Sequence, residues 1–195
     1  MPLLPLDYYR HKDVLFLSQD LLGKYLLTQI DSVLTGGMII ETEAYRGPED
    51  RASHAYGNRR TKRTETMYQE GGVSYVYQCY GLHFLFNIVT NVKDVPHAIL
   101  IRAIQPEIGI EDMLRRRRKK VVDGTLTSGP ATMAQALGIE KKHNGLMLDG
   151  DMIWLEDRGV IVSKEDIIAG PRVGVDYAGD DALQPWRFRI KGKKK

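Results

Sequence analysis

Val73-Ser74-Tyr75-Val76-Tyr77-Gln78-Cys79 and Leu82-His83-Phe84-Leu85-Phe86-Asn87-Ile88-Val89 are two runs rich in aromatic and β-branched residues, separated by Tyr80-Gly81. Such side chains fit a pleated surface, and a two-residue connection containing glycine suits a tight turn, so the stretch predicts an antiparallel β-hairpin. A period of two puts Tyr75 and Tyr77 on one face, with Tyr80 at the turn. Asn87 is a polar intrusion in the returning strand, and it needs a partner wherever it is buried.

Working outward, Ala98 to Ile104 reads as another strand, apolar apart from Arg102. On the N-terminal side, Met38 to Tyr45 is a strand opened by Gly36-Gly37 and closed by Gly47-Pro48, and Tyr25 to Ile30 is its neighbour in sequence. Asp13 to Leu22 predicts a helix with Val14, Leu17, Leu21 and Leu22 on one side and Gly23 as its stop. Pro106 suits the start of a helix carrying Ile110, Met113 and Leu114 inward; Ser128-Gly129-Pro130 opens one that ends near Gly138. Three short apolar runs, Met152 to Leu155, Val160 to Val162 and Trp186 to Ile190, read as strands. Helices interspersed with strands that return through short loops point to an α+β fold with a mostly antiparallel sheet, not a doubly wound one.

The 195 residues suit a single domain over 1–195, long enough to bury roughly 70% of the unfolded surface without disulfides. Cys79 is the sole cysteine, which excludes an internal disulfide and four-cysteine metal modules and fits a reducing, cytoplasmic compartment. The start, Met1-Pro2-Leu3-Leu4-Pro5-Leu6, is broken by prolines and followed by charge, so it lacks a signal-peptide core. His11, His54, His83, His97 and His143 are scattered without paired ligand spacing, so neither a metal nor another cofactor is implied. The net charge of +3 says less than its distribution. Arg59-Arg60-Thr61-Lys62-Arg63, Arg115 to Lys120 and Lys191 to Lys195 are suited to backbone phosphates; the last two are equally ordinary as a solvated face and a tail, whereas the first lies between two motifs that carry chemistry.

Chemistry concentrates in the strand ending at Tyr45. Alternation places Ile39, Glu41, Glu43 and Tyr45 on one face, and a loop with His54 and the first basic cluster follows. A carboxylate beside a phenol is an acid-base arrangement; equally, Glu41 and Glu43 are what the solvent side of a half-buried strand contains. Tyr80 at a hairpin tip reads either as a wedge between base steps or as packing, and Tyr77 as a stacking wall or a core residue.

Taken together, Glu41-Thr42-Glu43-Ala44-Tyr45, Gly47-Pro48-Glu49-Asp50, His54, Tyr75-Val76-Tyr77, Tyr80-Gly81, Asn87 and Leu100-Ile101-Arg102-Ala103 resemble the alkyladenine (3-methyladenine) DNA glycosylase family in its bacterial form. Ser128-Gly129-Pro130 and Arg172-Val173-Gly174-Val175 extend the likeness over nearly the whole chain. The resemblance implies a curved sheet with surrounding helices, a hairpin that inserts into DNA from the minor groove, and a monomer acting on duplex DNA with no cofactor. It implies that Glu43 activates the attacking water and that Arg102 holds the water and the site in place. Tyr45, His54 and Tyr77 would enclose the extruded base, Tyr80 would fill the space it leaves, and Asn87 would oppose the amino group of normal guanine. Arg59, Arg60, Lys62 and Arg63 stand as backbone contacts. Two other readings belong beside it: a non-catalytic minor-groove damage sensor, and a glycosylase-lyase using the secondary amine of Pro2.

Overall fold

A computed structural model describes residues 2–79, 81 and 83–193. The chain opens with two short helices, α1 (Leu6–Tyr9) and α2 (Val14–Asp20). Asp13 starts α2 as an N-cap, its Oδ1 accepting from the N–H groups of Leu15 and Phe16 at 2.9 and 3.1 Å. The helix ends two residues before the expected Leu22, and Gly23 follows with φ +89°.

Strands β1 (Tyr25–Ile30) and β2 (Val33–Arg46) form a hairpin whose turn residues, Asp31 and Ser32, both have positive φ. β2 is longer than its sequence suggests, because Gly36-Gly37 lies inside it. A Cβ on Gly37 would stand 2.1 Å from the carbonyl oxygen of Gln105, and one on Gly36 2.8 Å from that of Leu26. The glycines therefore admit close backbone approach on either side of the strand, where a turn was expected.

β3 (Ser74–Cys79) and β4 (His83–Thr90) are the predicted hairpin, paired antiparallel from Ser74↔Ile88 to Cys79↔His83. The proposed wedge, Tyr80, lies outside the described residues. β5 (His97–Ile108) runs on past the expected Ile104, and Pro106 sits in it opposite Gly37, not at a helix start. The register shifts there, and a bulge tolerates a residue with no N–H to donate. The helix α3 (Ile110–Arg117) begins four residues later, behind Gly109 at φ +68°. α4 (Pro130–Leu137) has Pro130 in its first turn and ends on Gly138 at φ +76°, as its sequence indicates.

The last strands are β6 (Ile153–Glu156), β7 (Ile167–Gly170) and β8 (Arg187–Ile190). Val160 to Val162, expected as a strand, is a loop with Ile161 93% exposed. Three apolar residues with no strand paired beside them gain nothing from extension. All eight strands belong to one curved antiparallel sheet in the order β3-β4-β5-β2-β1-β6, with β8 paired to β2 and to β7. Among the described residues, no helix is long and apolar enough to cross a membrane.

Alternation along the central strands separates two faces. Val76, Phe86, Ile88, Ile99 and Ile101 enter the main core, which also takes residues of α2 and α4. Tyr75, Tyr77, Leu85, Asn87, Leu100 and Arg102 belong to the opposite face and line a hollow there. The basic run of α3 is partly structural: Arg116 donates to Thr35 Oγ1 and the Ala136 carbonyl, both at 3.1 Å, and Arg117 to the Leu126 carbonyl at 3.2 Å.

Candidate active site

Glu43 sits in β2 with 0% of its surface exposed, and Glu41 with 2%. Neither is a solvent-facing strand residue, because loops cover this face of the sheet. Arg102, from the neighbouring β5, is inserted between them: Nε donates to Glu41 Oε1 at 3.0 Å and Nη1 lies 3.1 Å from Glu43 Oε1. Glu43 Oε1 also accepts from the backbone N–H of Val173 at 2.8 Å, and Oε2 from the Tyr45 hydroxyl at 2.9 Å. Arg187 of β8 lies 3.7 Å from Glu41 Oε1, so two carboxylates and two guanidinium groups form a formally neutral cluster. Burying Glu41, Glu43 and Arg102 is tolerable only with such pairing.

Beside this cluster opens a pocket of about 330 Å³, lined by Tyr45, His54, Tyr77, Asn87, Arg102 and Tyr177 among others. That volume lies at the small end of the range of about 300–1,000 Å³ for small-molecule sites, fitting one flat ring system. The sheet thus gathers Tyr45, His54, Tyr77, Asn87 and Arg102 around one cavity, with Glu43 directly behind the Tyr45–Arg102 wall.

His54 reaches the pocket on the loop after β2. Its Nδ1 is hydrogen-bonded to the Tyr75 hydroxyl at 2.9 Å, and its ring stands across that of Tyr77 at 4.7 Å and 77°. Burial, then the nearby Arg63 and Arg59, push the imidazole down to about 4, so His54 is neutral near pH 7. Tyr75 is buried and serves as packing and as the anchor of His54. Asn87 Nδ2 donates to the Tyr75 carbonyl at 3.0 Å, which fixes the amide against the pocket wall. Burial raises the Tyr45 hydroxyl well above its ordinary value, with Glu43 adding to the effect, so the phenol keeps its proton and donates it to Glu43 Oε2.

A second hollow of about 350 Å³ shares Ser53, His54 and Tyr177 with the first and is flanked by Arg51, Arg59 and Arg63. Of the expected backbone contacts, Arg59 and Arg63 thus face this hollow, and the Arg63 guanidinium also lies 5.1 Å above the Tyr77 ring. Arg60 is engaged elsewhere, with Glu65 and with Asp94 at 2.8 Å, over the ring of Tyr68. Lys62 is exposed and lines neither hollow. Sequence reasoning missed Arg51, Tyr177, the Val173 N–H and a buried pair of Arg172 with Asp50; for the last two, the only signal was that their motifs resemble segments of a known family.

The chain is 45% identical over 193 residues to a protein of Chlamydia felis, covering 98% of each chain. It is 44% identical to one of Bacillus licheniformis, covering 98% of this chain and 94% of the relative, and 42% identical to one of Clostridium acetobutylicum, covering 94% and 92%. All three carry 3-methyladenine DNA glycosylase as their assigned name. The family model described as methylpurine-DNA glycosylase matches residues 7–194, and the chain therefore belongs to that family of base-excision DNA repair enzymes.

Proposed function

We propose that this chain is a monofunctional glycosylase that extrudes alkylated or deaminated purines, such as 3-methyladenine, 7-methylguanine and hypoxanthine, from duplex DNA and hydrolyses their bond to deoxyribose. The observation that carries the reading is Glu43: a carboxylate with no exposed surface, oriented by donors on both oxygens, behind a ring-sized aromatic pocket. In the reaction the base departs with the electron pair of the breaking C1′–N bond, and Glu43 then takes a proton from a water as the water oxygen bonds to C1′. Arg102 keeps the carboxylate aligned. The nearby negative charge favours the oxocarbenium-like sugar that develops between the two events.

A purine alkylated on a ring nitrogen is cationic and leaves as a neutral base. Stacking on the electron-rich rings of Tyr45 and Tyr77 selects it by a cation–π attraction of about 0.5–2 kcal/mol. Hypoxanthine must be protonated to leave. His54, neutral down to about pH 4, is a hydrogen-bonding partner for the base edge and not the source of that proton. Tyr80 fills the vacated stack from the minor-groove side, and Arg59, Arg63 and Arg51 hold phosphates beside the pocket. Pro2 gives no support to a lyase: its carbonyl accepts from Asp157 N–H at 3.0 Å beside β6, and β6 is the last strand in an order that begins with β3, the bearer of Tyr77.

The test uses wild type and Glu43→Gln, without added metal, on an end-labelled duplex carrying one hypoxanthine or one 7-methylpurine, half of each sample then being treated with hot alkali. Strand breaks after alkali alone, and with wild type alone, are expected. Breaks before alkali point to a lyase, and lesion binding with no breaks on any substrate points to a damage sensor.

A further inference from the structure

Arg172 lies in a loop, yet its guanidinium reaches four of the segments that build the site. Nη1 donates to Asp50 Oδ2 at 2.5 Å and to the carbonyl of Ala44, the residue between Glu43 and Tyr45, at 2.9 Å. Nη2 donates to Asp50 Oδ1 at 2.8 Å and to the Asp181 carbonyl at 3.0 Å, on the turn that also carries Tyr177. The guanidinium lies 4.8 Å from the ring of Tyr45 and 5.0 Å from that of Trp186. Asp50 Oδ1 also accepts from Ala52 N–H at 2.9 Å, two residues ahead of His54. The next residue in the chain, Val173, is the one whose N–H meets Glu43.

Both side chains of the Arg172–Asp50 pair are wholly buried. A buried ion pair gains little over apolar packing of the same volume, so stability alone gives no reason for one here. What a two-pronged guanidinium supplies, and an apolar side chain does not, is fixed angles to several acceptors at once. We propose that Arg172 is a positioning residue for glycosidic-bond cleavage: locked by Asp50, it sets the Val173 N–H that orients Glu43. The inference rests on Glu43 being the base.

The experiment compares wild type, Arg172→Lys, Asp50→Asn and Glu43→Gln, each first melted in urea to establish the folded fraction. Lysine keeps the charge but loses the fork, and asparagine keeps the shape but loses the charge. At saturating protein on a hypoxanthine duplex, the single-turnover excision rate of Arg172→Lys and Asp50→Asn should fall about 10- to 100-fold, with the lesion Kd within about threefold of wild type. A rate within about twofold of wild type in either folded variant overturns the proposal, as does a parallel loss of rate and affinity, which marks a residue that merely keeps the pocket folded. Loss of the folded state in both variants overturns it too. If Glu43→Gln retains wild-type excision, the underlying reading of Glu43 fails; if Glu43→Gln is inactive while Arg172→Lys cuts normally, only the inference about Arg172 fails.

Discussion

Replacing Arg102 by methionine removes a guanidinium that touches both Glu41 and Glu43 and leaves two carboxylates, at 2% and 0% exposure, close together in a covered space. Breaking a buried ion pair by deleting one partner costs about 3–5 kcal/mol, because the remaining charge keeps its desolvation penalty and loses its compensation. Arg187, at 3.7 Å and from Glu41 alone, is too distant to replace the lost bonds. For a chain of this length each kcal/mol moves the melting temperature by about 2–4 °C, so Arg102→Met should melt roughly 6–20 °C below wild type. Adding Glu41→Gln removes one of the stranded charges, and the double variant should regain about 1–3 kcal/mol relative to the sum of the single effects. Glu43 in that double variant still lacks its guanidinium, so excision should stay impaired after stability has largely returned. Urea melts followed by circular dichroism, with single-turnover excision on the same preparations, measure both halves. An Arg102→Met protein within 1 kcal/mol of wild type by this estimate, or a double variant less stable than the sum of the singles, would refute the account of the cluster as a compensated unit.

His54 is held down to about 4 in the folded protein, chiefly by burial, against about 6.5 when unfolded. The unfolded chain therefore takes up a proton that the folded one refuses: the stability tied to this group is intact above pH 6.5 and declines between pH 6.5 and 4, by at most about 1.4 kcal/mol per unit. The imidazole should titrate near 4 by NMR, and His54→Gln should flatten the stability profile across that window. Arg59→Ala and Arg63→Ala should each lower the salt slope of duplex binding by about 1, on damaged and undamaged DNA alike; Arg60, already paired with Glu65 and Asp94, should leave it unchanged when replaced. Asn87→Ala removes the amide fixed to the Tyr75 carbonyl and should raise excision of undamaged guanine relative to hypoxanthine. Unchanged discrimination in a folded Asn87→Ala protein would show that guanine is excluded by something else.

What the sequence reveals here is whatever is local. The β3–β4 hairpin, the bounds of β1 and the glycine stop of α4 follow from period-two patterning and turn chemistry, which need no knowledge of distant residues. Gly36-Gly37 misleads because the same residue type marks a turn and a close backbone crossing, and only the position of Gln105 on the next strand decides between them. Pro106 misleads in the same way: a proline that suits a helix start also suits a bulge, and the bulge exists only in the register between β2 and β5. Glu41 has the spacing of a solvent-facing residue, yet it is buried beside Arg102 of β5 and Arg187 of β8, neighbours distant in sequence that no strand periodicity encodes. The Arg172–Asp50 pair joins residues 122 apart, each ordinary by itself.

The division of the sheet's two faces explains why the site tolerates so many buried polar groups. α2 and α4 pack on the face formed by Phe86, Ile88, Ile99 and Ile101, where contacts are mostly apolar and buried hydroxyls such as those of Thr42 and Thr28 donate to the backbone carbonyls of Ser18 and Leu137. The other face is covered by loops and short 3-10 helices, whose backbone N–H and C=O groups are not all consumed by regular bonding. Groups in this cover become partners that buried charge requires: Val173 N–H for Glu43, the Asp181 carbonyl for Arg172, and Ala52 N–H for Asp50. A helix laid across this face would have offered side chains alone. Loop cover is therefore what lets two carboxylates and their arginines sit behind an aromatic pocket, with both oxygens of Glu43 already hydrogen-bonded by the protein itself.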